Sequence, residues 1–187
     1  MLKLSLRGVC FSALFAALVV VFGFISIPLG FTPVPITLQT LAVMLAGGLL
    51  GPKYGFFSMF ILVALTAMGF PLLHGEGGLG VLLGYTGGFV WMWPISALFI
   101  GFITQHIKSN RTITYISIFI VIEIFGSLIL YLSGVPWLMH VTGLSFQEAM
   151  VAGCYPFLLG DAIKAAAATL IIIPVRRIFP ISRLTGH

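Results

Sequence analysis

Apolar residues in this chain gather into long blocks instead of recurring at a helical or strand period. Six blocks, at 9–27, 36–51, 55–73, 79–104, 113–133 and 155–175, are almost free of charge. A helix that crosses a bilayer needs about 20 such residues, and five of the blocks approach or exceed that length. The second reaches only ~24 Å at 1.5 Å per residue, so it is tilted, partly re-entrant or extended by the loop before it. The pattern predicts an all-α integral membrane protein with six transmembrane helices, forming a single domain over residues 1–187.

The short segments between blocks set the orientation. Lys3 and Arg7 precede block one, Lys53 lies between two and three, Lys108 and Arg111 lie between four and five, and Arg176, Arg177 and Arg183 follow block six. Six spans place all of these on one side. The other side carries Glu76 and Glu148 and neither Lys nor Arg. This positive-inside asymmetry predicts a multi-pass protein of the cell membrane with both termini cytoplasmic.

Three outer segments differ in character. Residues 28–35 are apolar and hold Pro28, Pro33 and Pro35, so they read as a stiff lid or plug. His74-Gly75-Glu76-Gly77-Gly78 is glycine-rich and suits close approach to a ligand. The third, from Gly134 to Cys154, contains the capping box Ser145-Phe146-Gln147-Glu148, which predicts a short helix ending near Gly153. Pro156 suits the first turn of the last span.

Composition sharpens the class. The chain has 187 residues, 60% hydrophobic and 7% charged, with mean hydropathy +1.19. A soluble domain carries about 25% charge. Lys3 and Arg7 before an apolar block resemble a signal peptide, but no small-residue cleavage site opens onto a polar domain, so block one is read as retained. The net charge of +5 does not imply nucleic acid, because the bases are scattered between apolar blocks. Cys10 and Cys154 sit near opposite membrane faces and are read as free thiols. No Walker-type phosphate loop, nucleophile–base motif or metal-ligand spacing is present. The chain is therefore read as a non-enzyme with no cofactor or metal of its own. There is also no inverted duplication of the kind built into many secondary transporters.

Two of the thirteen charged residues, counting four acids and nine strong bases, lie inside the last block. Asp161 and Lys164 are three residues apart, on one helix face. A charge at the centre of a bilayer costs at least ~2.5–3.5 kcal/mol, so that face meets protein, water or a ligand. From Pro156 they lie ~8 and ~12 Å into the membrane, in its outer half. The pair is either an internal lock or a ligand site open to the outside. In the second case Lys164 pairs with an anionic group and Asp161 accepts from ligand N–H groups.

Glu123, near mid-membrane, is a candidate counter-ion for Lys164, helix–helix glue or a proton-coupling group. Gly84-Tyr85-Thr86-Gly87-Gly88-Phe89 allows close approach to a ligand or a helix, with Tyr85, Phe89, Trp91 and Trp93 as candidate walls. Gln39, with Thr37 and Thr40, begins block two and hydrogen-bonds either across helices or to a ligand. In block one, Ala13 and Ala17 form one small-residue strip and Ser12 and Ala16 another, each suited to packing a second helix.

Three stretches together resemble one family, the substrate-binding S components of energy-coupling-factor (ECF) biotin transporters, the BioY family. They are residues 31–47, from Phe31-Thr32-Pro33-Val34-Pro35 through Gln39 to Gly47; Gly84-Tyr85-Thr86-Gly87-Gly88-Phe89; and residues 156–165 around Asp161 and Lys164. The order and span count extend the resemblance over essentially the whole chain. The family usually has proline where Tyr85 and Leu159 stand and tyrosine where Phe89 stands. The resemblance implies an ECF S-component-like bundle that captures biotin from outside. Asp161, Lys164, Tyr85, Thr86, Gly87, Gly88 and Gln39 then bind substrate under a lid of Pro33, Val34 and Pro35. Ala13 and Ala17 dock onto a transmembrane coupling subunit driven by two ATPases that hydrolyse the ATP. Biotin has a carboxylate at one end and a ureido ring with two N–H groups at the other. The expected division places Lys164 on the carboxylate and Asp161 on the ureido group. An S component for another vitamin, a membrane-embedded enzyme and a proton-coupled carrier are the competing readings.

Overall fold

The computed structural model describes residues 5–107 and 111–186. Lys3 and Lys108, used above for orientation, lie outside the described residues, as does the side chain of Arg111. Among the described residues, five helices are long and apolar enough to cross a membrane: Leu6–Gly23, Gln39–Ala67, Gly87–Thr104, Thr112–Thr142 and Leu158–Ile178. The elements in chain order are α1 (Leu6–Gly23), strands β1 (Ser26–Ile27) and β2 (Ile36–Thr37), α2 (Gln39–Ala67), the single turn α3 (Leu79–Leu82), α4 (Gly87–Thr104), α5 (Arg111–Glu123), a π-helical segment Ile124–Leu128, α6 (Ile129–Thr142), α7 (Phe146–Gly153), α8 (Leu158–Ile178) and α9 (Ile181–Thr185).

The second and third expected spans are the two arms of α2. Gly51, at φ 76°, interrupts the helix in a conformation that side chains disfavour, and Pro52 follows it. The arms fold back on each other. A Cβ on Gly55 would lie 3.0 Å from the Cα of Gly47, whereas a straight helix would hold these residues ~12 Å apart. The first arm, from Gln39 to Leu50, is roughly 18 Å long, well short of the ~30 Å hydrocarbon core.

The helix α2 is central, packing most extensively on α4 and then on α1. Along α1 the buried positions are Gly8, Ser12, Ala16, Val19 and Gly23, a stripe of mostly small residues. Ser12 Oγ donates to the Tyr54 carbonyl at 3.1 Å, and Ser58 Oγ donates to the Ser12 carbonyl at 2.7 Å. Small residues and hydroxyls thus join the two helices where lipid supplies no hydrophobic drive. A second core cluster brings together Met44, Ile100, Ile122, Ala168 and Ile172 from α2, α4, α5 and α8.

Several expected boundaries move. The fifth span does not end at 133. It continues through the π-helical segment to Thr142 and stops at Gly143 in the left-handed conformation. Gly134, expected to open a loop, is a buried helical residue against which the Phe89 ring packs; a Cβ there would come within 2.2 Å of that ring. Pro136 lies inside α6, and Pro156 lies before α8, whose N-cap is Phe157. The fourth span is split, because residues 83–86 break it into α3 and α4. The Ser145 capping box and the helix ending at Gly153 form as expected. The Ser145 hydroxyl and backbone N–H both donate to Glu148 and hold its carboxyl below the usual carboxylate range.

Basic residues collect at one end. Arg7 Nη1 donates to the Arg183 carbonyl at 3.0 Å, Ser5 Oγ donates to the Thr185 carbonyl, and Ser5 N–H donates to Tyr54 Oη at 2.8 Å. Arg176 Nη1 and Nη2 cap the end of α4 through the Thr104 carbonyl and hydroxyl, at 2.9 and 2.8 Å. Cys10 is exposed, Cys154 is buried, and both are free thiols.

Candidate functional site

At the end opposite these bases, the helix ends and loops enclose a cavity of about 460 Å³. Such a volume is ordinary for a small-molecule site. One wall is the loop expected as a lid. Strands β1 and β2 pair Ser26 with Thr37 and Ile27 with Ile36, which closes the intervening residues into a tight excursion. Thr32 Oγ1 donates to the Ala152 carbonyl at 2.6 Å, tying the loop to α7. Val34 is buried against Leu138, Ala152 and Phe157. Pro33, Val34 and Pro35 all line the cavity.

The first turns of α8 deliver Asp161 and Lys164 to the same space. They are 5% and 8% exposed, and neither faces lipid. Lys164 Nζ donates to Asp161 Oδ1 at 2.8 Å and to Thr40 Oγ1 at 3.0 Å. Tyr131 Oη donates to Asp161 Oδ2. The counter-ion of Lys164 is therefore Asp161, and Glu123 does not take that place. Glu123 is not among the cavity-lining residues, and its Oε2 is buried without a hydrogen-bond partner. In direct contact, the two side chains present their remaining donor and acceptors side by side.

Of the other expected site residues, Gln39, Tyr85 and Thr86 line the cavity. Gln39 is 4% exposed; its Oε1 accepts from Thr37 Oγ1 at 3.3 Å, and its Nε2 has no partner. Gly87 and Gly88 do not reach the cavity. A Cβ on Gly88 would come within 2.3 Å of Trp137 Cβ, and one on Gly87 within 2.0 Å of the Leu82 carbonyl, so these glycines seat α4 against α6 and α3. Trp93 and Phe89 line the cavity, whereas Trp91 does not. Instead, Trp91 Nε1 donates to the Leu82 carbonyl at 2.8 Å and Trp137 Nε1 to the Gly84 carbonyl at 2.9 Å. The two indoles anchor the break that presents Tyr85 and Thr86. Leu159 is 75% exposed and lies away from the cavity, so only Tyr85 and Phe89 among the departures from the family pattern reach it.

Tyr131 escaped sequence reasoning. The only available signal was that a buried carboxylate needs donors, and that does not select one tyrosine. The structure also separates the two strips of block one. Ser12 and Ala16 pack inward, while Ala13 and Ala17 lie on the exposed face beside Leu14 and Val21. No grouping of His, Cys, Asp and Glu able to hold a metal occurs among the described residues.

Comparison with known proteins supplies the lineage. The family model described as the BioY family matches residues 1–181. A biotin transporter BioY of Rhizobium etli is 38% identical over 173 residues, covering 90% of this chain and 92% of that protein. A probable biotin transporter BioY of Bacillus subtilis is 39% identical over 175 residues, covering 91% and 90%. The crystal structure at 2.1 Å of the S-component for biotin from an ECF-type ABC transporter superposes with TM-score 0.82 at 33% identity, over 91% of each chain. By sequence along nearly its whole length and by its bundle of membrane helices, the chain belongs to the BioY family.

Proposed function

We propose that this chain is the biotin-capturing S component of an ECF-type importer, acting through its outer cavity. The observation that carries the reading is the unused hydrogen-bonding capacity of the Asp161–Lys164 pair. An ammonium has three N–H donors, and Lys164 uses two, on Asp161 and Thr40. A carboxylate has about four acceptor positions, and Asp161 uses two, for Lys164 and Tyr131. One donor and two acceptors remain within a single contact distance. A ureido group has the complementary set, one C=O and two N–H. The pair thus clasps the ureido head as a unit, and Phe89, Val90 and Trp93 offer apolar wall to the bicyclic body.

The rest of the reading follows from charge and shape. Gln39, Tyr85 and Thr86 complete the polar wall, and Pro33, Val34 and Pro35 shut over the ligand. Six crossings, with the α2 arms counted separately, put the basic end and both termini in the cytoplasm of a cell-membrane protein. Residues 1–187 act as one binding domain. The exposed Ala13–Ala17 face meets a transmembrane coupling subunit whose two ATPase partners supply the energy. Equilibrium binding of radiolabelled biotin to the purified protein, with other vitamins as competitors, tests the assignment. Saturable binding displaced by biotin alone supports it, and equal displacement by an unrelated vitamin contradicts it.

A further inference from the structure

If the pair clasps the ureido head, the carboxylate of the same ligand must lie elsewhere in the cavity. Besides Gln39, Tyr85 and Thr86, an exposed turn brings polar side chains to the cavity. Leu73 and Glu76 exchange backbone hydrogen bonds at 3.0 and 2.9 Å, closing a two-residue turn on His74 and Gly75. Both central residues have positive φ, 55° and 81°. That is the type I′ geometry, which strongly favours asparagine or glycine first and glycine second. Histidine is among the side-chain-bearing residues that adopt positive φ most readily, and His74 is the positive-φ residue other than glycine among the described residues. Leu73, 3% exposed, roots the turn in the core, while His74 and Glu76 are exposed and line the cavity. The anchored turn therefore holds the His74 and Glu76 side chains in place at the cavity mouth, where a ligand would meet them.

We propose that His74 recognises the carboxylate tail of the ligand at the cavity mouth, as a ring N–H donor held in place by the type I′ turn. This rests on the biotin reading above. Glu76, on the same turn, sets a limit on the tail's position, because its carboxylate repels an anion that strays from the imidazole. The two side chains should therefore act with opposite signs.

The test compares biotin with biotin methyl ester, which keeps the ureido head and lacks the anionic tail. Affinities are measured on purified full-length protein in detergent for the wild type, His74→Gly and Glu76→Gln. Glycine suits the turn, so the first variant removes the imidazole without straining the backbone. His74→Gly should weaken biotin about tenfold, the scale of a charge-assisted hydrogen bond, and leave the ester within about twofold. Glu76→Gln should tighten biotin modestly and leave the ester unchanged. Equal losses for both ligands in His74→Gly, no loss for either, or weaker biotin binding in Glu76→Gln would overturn the inference alone. A wild-type protein that binds neither ligand would overturn the biotin reading and this inference with it.

Discussion

The two ends of the bundle use their polar groups differently. At the basic end, Ser5, Ser12, Tyr54, Ser58, Thr104 and Arg176 are tied to carbonyls and hydroxyls of neighbouring helices, and of the Arg176 donors Nε is left without a partner. These bonds link α1 to α2, α4 to α8 and the N-terminal turn to α9. At the cavity end, Asp161, Lys164 and Gln39 retain donors or acceptors that the protein does not use. Buried polar groups are normally satisfied, so spare capacity beside a cavity distinguishes a ligand site from structural glue. Changes at one end should alter affinity, and changes at the other should alter stability.

The largest expected effect tests that separation at the cavity. Asp161→Ala leaves Lys164 with Thr40 alone and removes both spare acceptors, so biotin affinity should fall at least about a hundredfold by equilibrium binding. Retained affinity would place the ligand elsewhere. Tyr131→Phe keeps the ring against Phe89 and removes one donor to Asp161. It should weaken biotin about tenfold.

Tyr54→Phe is the counterpart at the basic end. It removes the hydroxyl that accepts from Ser5 N–H at 2.8 Å and donates to Ser5 Oγ at 3.2 Å. A loss of about 1–2 kcal/mol of stability is expected, seen as a lower melting temperature with biotin affinity intact. If affinity fell with stability, the two ends would not be separable. The smallest effect concerns α7, to which Thr32 ties the proline-rich loop. Interaction with Ser145 lowers the Glu148 carboxyl in the folded state, so this cap is fully present above the ordinary carboxylate range and is lost as pH falls through the lowered value. Acidification should loosen α7 by hydrogen exchange before the membrane helices respond, and Ser145→Ala should abolish that pH dependence.

What the sequence revealed divides along similar physical lines. Charges inside an apolar block are costly wherever the chain folds, so Asp161 and Lys164 stood out without a structure. The Ser145 capping box is local chemistry, readable from four residues. Span boundaries were harder. Gly134 and Pro136 resemble loop residues, yet membrane helices tolerate both where neighbours pack against them. The gap between blocks two and three, with Lys53 in it, marked a break, but the close folding of the α2 arms depends on Gly47 and Gly55 meeting across it. Gly87 and Gly88 had the right composition for ligand approach, and only tertiary contacts with Trp137 and Leu82 assign them to packing. Which acid faces Lys164 was likewise a tertiary question. The i, i+3 spacing put Asp161 and Lys164 on one face, yet Glu123 was the first candidate in the sequence, and the 2.8 Å contact between Lys164 and Asp161 decides the matter.

The central claim is that Asp161 and Lys164 grip one end of the ligand together. Lys164→Ala, assayed for equilibrium binding of biotin and biotin methyl ester side by side, tests it most directly. The account expects both ligands to weaken by the same factor, because the ester keeps the ureido head that the pair holds. A loss confined to biotin, with ester affinity retained, would put Lys164 on the carboxylate and contradict the account.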